Sequence, residues 1–250
     1  MKSIGENTIS LCTCKAGTCL KKIMKNIEQK IETVKTSMRM IGMEELLKTI
    51  ENLKKSKVKD LVDARIREFR ENGKKSSYEI FKELSFCILT ANFNCEKSIR
   101  MQEEILNGFL TFPESQLAER LRIMNHRYPE ARANYIVEAR KYKDSLKNII
   151  ESSHDKDALR DWLVKNVKGI GYKLASHFLR NIGYTDFAIL DFHVIDILVK
   201  HELIKRPKTL TRKKYLEIEK ILKKIARKLN LNLAELDLYL WYIETGKILK

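Results

Sequence analysis

Residues 157–196 read DALRDWLVKNVKGIGYKLASHFLRNIGYTDFAILDFHVID. Leu159, Trp162 and Leu163 give a helix over roughly 155–166 its buried face. That helix runs into Val167-Lys168-Gly169-Ile170-Gly171, and a second helix is expected to start at Tyr172. Glycines on either side of one apolar residue let the chain turn tightly and bring its backbone close to another surface. Ile170 is placed to plug the space between the two helices. The amides that open the second helix then point outward, where they can hold a phosphate oxygen. The unit reads as a helix–hairpin–helix that grips a nucleic-acid backbone without reading bases. The same turn also joins helices in purely structural hairpins, so its neighbours have to decide.

Lys173 lies in the first turn of the second helix, two residues past Gly171. A helix N-terminus already carries partial positive charge, so a lysine there is out of its favoured place. Lys168 adds a further cation nearby in sequence. A lysine in such surroundings can serve as a nucleophile on a sugar C1′; alternatively it contacts a phosphate or is solvated. Eighteen residues on, Asp191 in Leu190-Asp191-Phe192-His193-Val194 stands where another helix begins. By spacing alone it reads as an N-cap.

Outward from this stretch the apolar period is helical almost throughout. Leu46, Leu47, Ile50 and Leu53 form one stripe from Met43; Val58, Leu61, Val62, Ile66 and Phe69 form the next. Ser76-Ser77 announces a helix that runs through Ile80, Phe81, Leu84, Ile88 and Leu89 to Asn92. Further helices are expected over 96–106, 114–123, 129–142 (with Pro129 in the first turn), 211–229 and 233–244, and from Asp191 to His201. Strand-like alternation is almost absent, and the fold class is all-α.

The 250 residues are 44% hydrophobic and 33% charged, which excludes a disordered chain. No apolar run reaches the length of a membrane span, and no secretory block opens the chain, so a cytoplasmic protein with no membrane partner is expected. The net charge of +16 points to a polyanionic partner, most simply nucleic acid, although solubilising charge alone also fits. Five units of it belong to residues 1–42, which carry 8 Lys+Arg and 3 Asp+Glu; the rest is in the body. Residues 205–228 hold 11 Lys+Arg against Glu217 and Glu219, either a solvated face or a DNA contact. Five irregularly spaced cysteines imply no disulfide framework. Cys12, Cys14 and Cys19 cluster near the start, but no histidine precedes His126, and no metal site or cofactor is expected.

With these residues in place, V-K-G-I-G-Y-K-L-A (167–175) followed by L-D-F-H-V (190–194) resembles the helix–hairpin–helix (HhH-GPD) DNA glycosylase superfamily. The resemblance is closest to the short archaeal-type 8-oxoguanine DNA glycosylase/AP lyases and covers 43–250. It is supported by FKELSFCILTANF (81–93), SHFLRNIGY (176–184), PKTLTRKKYLEIE (207–219) and LDLYLWYIETGKILK (236–250). It implies Lys173 as the nucleophile, Asp191 as the essential carboxylate, and Gly169, Gly171 and His193 as backbone contacts. Asn92 is implied to fill the gap left by the extruded base. Trp241 is implied to stack on that base, and Lys250, through its carboxylate or its ammonium, to tell 8-oxoguanine from guanine. The implied partner is double-stranded DNA containing oxidised guanine, bound by a monomer.

The sequence departs from the family in two places. Lys168 replaces the usual proline before the first hairpin glycine, and Phe187-Ala188-Ile189-Leu190 replaces a Gly/Pro-rich approach to the aspartate. No cysteine quartet for an iron–sulfur cluster is present, and Cys87 and Cys95 read as packing residues. A glycosylase for another lesion, a non-catalytic DNA-binding hairpin protein and a basic helical adaptor are the competing readings. The expected architecture is two helical lobes with an active-site cleft between them. A central lobe spans about 72–188; 43–71 joins 189–250 in the other, and 1–42 is a flexible leader or a mis-assigned start.

Overall fold

The computed structural model describes residues 13–250, and their side chains from Met24 onward. Every regular element among them is helical: α1 (Thr13–Lys54), α2 (Val58–Lys74), α3 (Ser77–Leu89), α4 (Cys95–Ile105), α5 (Gly108–Thr111), α6 (Glu114–Ile123) and α7 (Pro129–Ala139). After these come α8 (Leu146–Ser152), α9 (Lys156–Asn166), α10 (Tyr172–Asn181), α11 (Phe192–Lys200), α12 (Arg212–Lys228) and α13 (Leu233–Thr245). No helix among the described residues is long and apolar enough to cross a membrane.

Local chemistry accounts for many of the boundaries. Ser76, Asn94, Asp155, Asp191 and Thr211 each accept an amide hydrogen bond from the first turn of α3, α4, α9, α11 and α12. Each cap satisfies a donor that the helix itself leaves unpaired. Asn232 and Glu235 form a reciprocal capping box at the start of α13, and Pro129 opens α7.

Two apolar cores divide the molecule. One gathers Ile80, Phe81, Leu84, Phe109, Leu121, Ile136, Leu163 and Phe178 from α3 to α10, ending at Phe187. The other joins Leu46, Ile50, Val62 and Phe69 of α1 and α2 to side chains from Ala188 through Leu240. The chain therefore enters the central lobe after α2 and leaves it at 187–188. At that exit Tyr215 of α12 donates its hydroxyl to the Ala188 carbonyl (2.6 Å) and accepts the Leu190 amide (3.3 Å).

Buried charge laces the two lobes together. Arg160 of α9 and Glu219 of α12 are both almost fully buried and bond at 2.7 and 3.3 Å. Glu219 also accepts the Ala188 amide at 3.0 Å. Arg180 of α10 pairs with Asp237 of α13 and lies 4.8 Å over the ring of Phe69.

Three elements differ from the sequence reading. α5 and α8 have no counterpart in it, because four residues, or seven with Leu146 and Ile150 inward, are too few to show a period. α1 starts thirty residues before Met43: nothing between Thr13 and Met43 breaks a helix as a proline would. Cys12 lies outside the described residues, and of Cys14 and Cys19 only the helical backbone is described. No group of three or more His, Cys, Asp or Glu converges among the described residues.

Candidate active site

Between α9 and α10 the chain makes the expected hairpin. Val167 ends α9, the Ile170 amide bonds back to the Val167 carbonyl at 3.2 Å, and Ile170 is buried between the helices. The two glycines are there for different reasons. Gly169 has φ +81°, and a Cβ on it would lie 2.3 Å from the ring of Tyr135. Gly171 is extended, caps α10 and is exposed; a Cβ there would meet nothing within 4 Å. The first glycine is needed by the fold, while the second leaves open space on the outer face. Lys168 does not join Lys173: its ammonium pairs with Glu138 at 2.6 Å and bonds Asn134 at 3.1 Å.

One turn further on, α10 carries Lys173 into a cleft of about 1200 Å³ between the lobes. Asp191 enters the same cleft from the other side of the exit segment. It is an N-cap, with Oδ1 accepting the Val194 amide at 2.9 Å, and it also lines the cleft. The two readings of this residue are thus compatible. Asn92, His193, Trp241 and Lys250 line the cleft as well, whereas Gly169 and Gly171 lie outside its walls.

Asn92 is exposed with φ +54°, a left-handed conformation that asparagine adopts more readily than most residues. Its turn is braced from below. Arg132 donates to the Ala91 carbonyl at 2.8 Å. His126 accepts the Tyr128 amide on Nδ1 (3.0 Å), so the proton sits on Nε2 and is donated to the Leu89 carbonyl (3.0 Å). Burial holds the His126 imidazole below its ordinary pKa, which favours this neutral form.

His193 packs edge-on against Trp241, ring centres 4.8 Å apart, with Glu244 3.9 Å from its Nδ1. The Trp241 indole Nε1 is buried and has no hydrogen-bond partner among the described residues. Lys250 is fixed at both ends. Its ammonium bonds Glu83 at 2.7 Å and sits 4.5 Å over the Phe86 ring; its main-chain oxygen accepts from Cys95 Sγ at 3.3 Å. Cys95 is therefore a contact as well as a packing residue, whereas Cys87 is wholly buried.

Several residues of this site are absent from the sequence reading. Glu83 accepts from Lys250 and Gln102 on Oε1 and from Asn181 on Oε2. His177 is buried below the cleft; desolvation, reinforced by the charges of Arg180 and Lys173, holds its pKa well below the usual value and keeps it neutral. Burial pushes the Asp237 carboxyl up to about 6; Arg180 opposes the shift, and the charge of Asp191 adds to it. Asp237 therefore ties the electrostatics of Asp191 and Lys173 to the inter-lobe pair. The available signal was a lone charge on the apolar face of a helix, as at Glu83, Arg180 and Asp237, since such charges need buried partners.

A helical fold whose glycine hairpin delivers a lysine to an inter-lobe cleft, opposite an aspartate at a helix start, defines a helix–hairpin–helix DNA glycosylase. Comparison with known proteins narrows the class. Residues 62–231 match the family model described as 8-oxoguanine DNA glycosylase. The 8-oxoguanine DNA glycosylase/AP lyase of Methanocaldococcus jannaschii is 54% identical over 206 residues, covering 82% of this chain and 99% of that protein. That of Korarchaeum cryptofilum is 50% identical over 211 residues, 84% of this chain and all of its own. A crystal structure of the M. jannaschii enzyme with a 15mer DNA containing 8-oxoguanine superposes with a TM-score of 0.81, over 82% of this chain and 100% of that one. The Thermotoga maritima 8-oxoguanine DNA glycosylase gives 0.79 at 47% identity, over 83% of this chain and 100% of that one. The chain belongs to the 8-oxoguanine DNA glycosylase/AP lyase family.

Proposed function

We propose that this chain excises 8-oxoguanine from duplex DNA and cuts the strand at the resulting site, with Lys173 as nucleophile and Asp191 as the essential carboxylate. The observation that carries the assignment is that one cleft holds both groups together with Trp241 and Lys250. The base lies inside the stack, so the nucleotide must swing out into that cleft before chemistry. Asn92, on its braced turn at the rim, fills the vacated position. The hairpin amides and the open face of Gly171 receive the phosphate backbone, and His193 supports it from beside Trp241.

In the pocket, 8-oxoguanine differs from guanine at C8 and by a proton on N7. The ammonium of Lys250 is held by Glu83 and its main-chain oxygen accepts only the weak thiol donor of Cys95, so acceptor capacity remains at the main-chain end to meet the base. An acceptor there gains a hydrogen bond from N7–H of the lesion and faces a lone pair on guanine, a mismatch that discriminates strongly.

Positive charge grows on the sugar as the N9–C1′ bond breaks, and the Asp191 carboxylate stabilises it. The neutral amine of Lys173 forms the new bond to C1′, and the base leaves with the glycosidic electron pair and takes up a proton. Loss of an amine proton and opening of the sugar ring give a Schiff base. Removal of a C2′ proton then expels the 3′ phosphate and cuts the strand. The enzyme acts on DNA inside the cell, in the cytoplasm.

Borohydride trapping tests this reading. Wild type incubated with a duplex bearing a single 8-oxoguanine yields a covalent protein–DNA adduct, and Lys173→Gln yields none. An undiminished adduct from Lys173→Gln would falsify the assignment of the nucleophile.

A further inference from the structure

Between Met24 and Ile41 α1 runs clear of both cores. This part of the helix carries seven large apolar side chains, and six of them, Met24, Ile27, Ile31, Val34, Met38 and Ile41, follow one another at steps of three and four residues. All six are exposed, from 43% at Met38 to 66% at Ile41. Steps of three and four average 3.5 residues, the period of a coiled-coil seam and not of a helix lying on a globular core. Met24, Ile31 and Met38 occupy the a positions of that heptad, and Ile27, Val34 and Ile41 the d positions. The body's hold on α1 begins just beyond, at the buried Gly42, Leu46 and Ile50.

We propose that this segment is a dimerisation helix that pairs antiparallel with the same segment of a second copy of this chain. The flanking charges select both the partner and its direction. In a parallel pair, Lys30 at g would face Lys35 at e of the second copy, twice over by symmetry, and like charges there oppose pairing. In an antiparallel pair centred on Ile31 opposite Val34, Ile27 lies opposite Met38 and Met24 opposite Ile41. Glu28 at e then faces Lys35 at e of the second copy, again twice, and both contacts are attractive. The seam agrees, because parallel two-stranded coils favour β-branched residues at a with leucine at d, and here the d positions are Ile, Val and Ile. Lys35 is free to turn toward the second copy: its contact with Glu32 is a long 3.8 Å between exposed groups. The paired stretch is about 27 Å long at 1.5 Å per residue, so association is concentration-dependent.

Sedimentation equilibrium of the full chain over a concentration series tests the proposal. The mass is expected to rise from 29.4 kDa toward twice that value. Ile31→Lys with Val34→Lys, both at exposed positions, abolishes the rise, while cleavage of a short lesion duplex per chain is unchanged. Lys35→Glu weakens the dimer by placing Glu28 against a glutamate, and adding Glu28→Lys restores it. A mass that stays at 29.4 kDa to the highest soluble concentration overturns the proposal, as does a dimer that survives the double lysine variant. Tighter association on Lys35→Glu alone overturns the antiparallel register, since that change relieves Lys30 only in a parallel pair.

Discussion

Removing the Glu219 side chain should cost this protein far more than its position on a lysine-rich helix suggests. Glu219 takes two hydrogen bonds from Arg160 and one from the Ala188 amide, and both charged side chains are nearly inaccessible to water. In Glu219→Ala the Arg160 guanidinium keeps one carboxylate, the exposed Asp157 at 2.9 Å, and the Ala188 amide loses its acceptor. Breaking a buried pair from one side costs about 3–5 kcal/mol. The orphaned amide adds about 1–3 kcal/mol where water cannot reach it. For a chain of this size the sum corresponds to a fall in Tm on the order of 10 °C or more. Glu217→Ala, two residues away, removes an exposed partner of Lys214 and should stay within about 0.5 kcal/mol of wild type. Equilibrium denaturation in guanidinium chloride of both variants gives the comparison directly. A Glu219→Ala variant within about 1 kcal/mol of wild type would show that water enters the seam, and would refute the reasoning.

The hairpin glycines should separate stability from DNA binding. Gly169→Ala forces a side chain onto a positive φ and into the Tyr135 ring, and should destabilise by about 1–3 kcal/mol; Gly171→Ala should leave Tm unchanged but weaken duplex binding in a gel-shift assay. Equal Tm losses in the two would contradict the assigned roles. Asp191→Asn keeps a good N-cap, so α11 and duplex affinity should persist while single-turnover excision collapses; normal excision by this variant removes the carboxylate from the mechanism. Asp237 should give stability a pH slope. Its folded pKa of about 6 lies above the ordinary 3.8, so the native state binds the extra proton between these values. Its contribution is therefore full below about pH 4 and lost as pH rises through about 6. Denaturation midpoints of Asp237→Asn measured across that interval should lack this decline, and identical slopes in variant and wild type would rule it out.

The helices and the hairpin were legible because their signals are local. Ser76, Asp191 and Thr211 mark starts within a few residues of the apolar stripes they introduce, and Gly-Ile-Gly needs no distant partner to be read. Lys173, Asp191, Asn92, His193, Trp241 and Lys250 were named from the resemblance to the glycosylase family, and one cleft is lined by all six. Glu83, Arg180 and Asp237 were not named, because each takes its meaning from a partner more than fifty residues away. Sequence left the ammonium and the main-chain end of Lys250 both open; in the structure the first bonds Glu83 and the second accepts from Cys95. The continuation of α1 before Met43 was obscured for the opposite reason. Its apolar residues keep a regular spacing, but the stripe meets no core of this chain, so no partner segment was there to give it meaning.

The last residues of the chain have a mechanical consequence. α13 belongs to the lobe that carries Asp191 and Trp241, yet the segment after Gly246 crosses over and is moored to the other lobe by Glu83 and Cys95. Lys173 projects from that second lobe, on a helix whose Leu174 and Ala175 are part of its core. Lys250 and Lys173 are therefore anchored to one lobe. On the roles proposed for them, the distance between the group that inspects the base and the amine that attacks its sugar is set within a single core, whereas Asp191 is held to them across the buried Arg160–Glu219 and Arg180–Asp237 pairs.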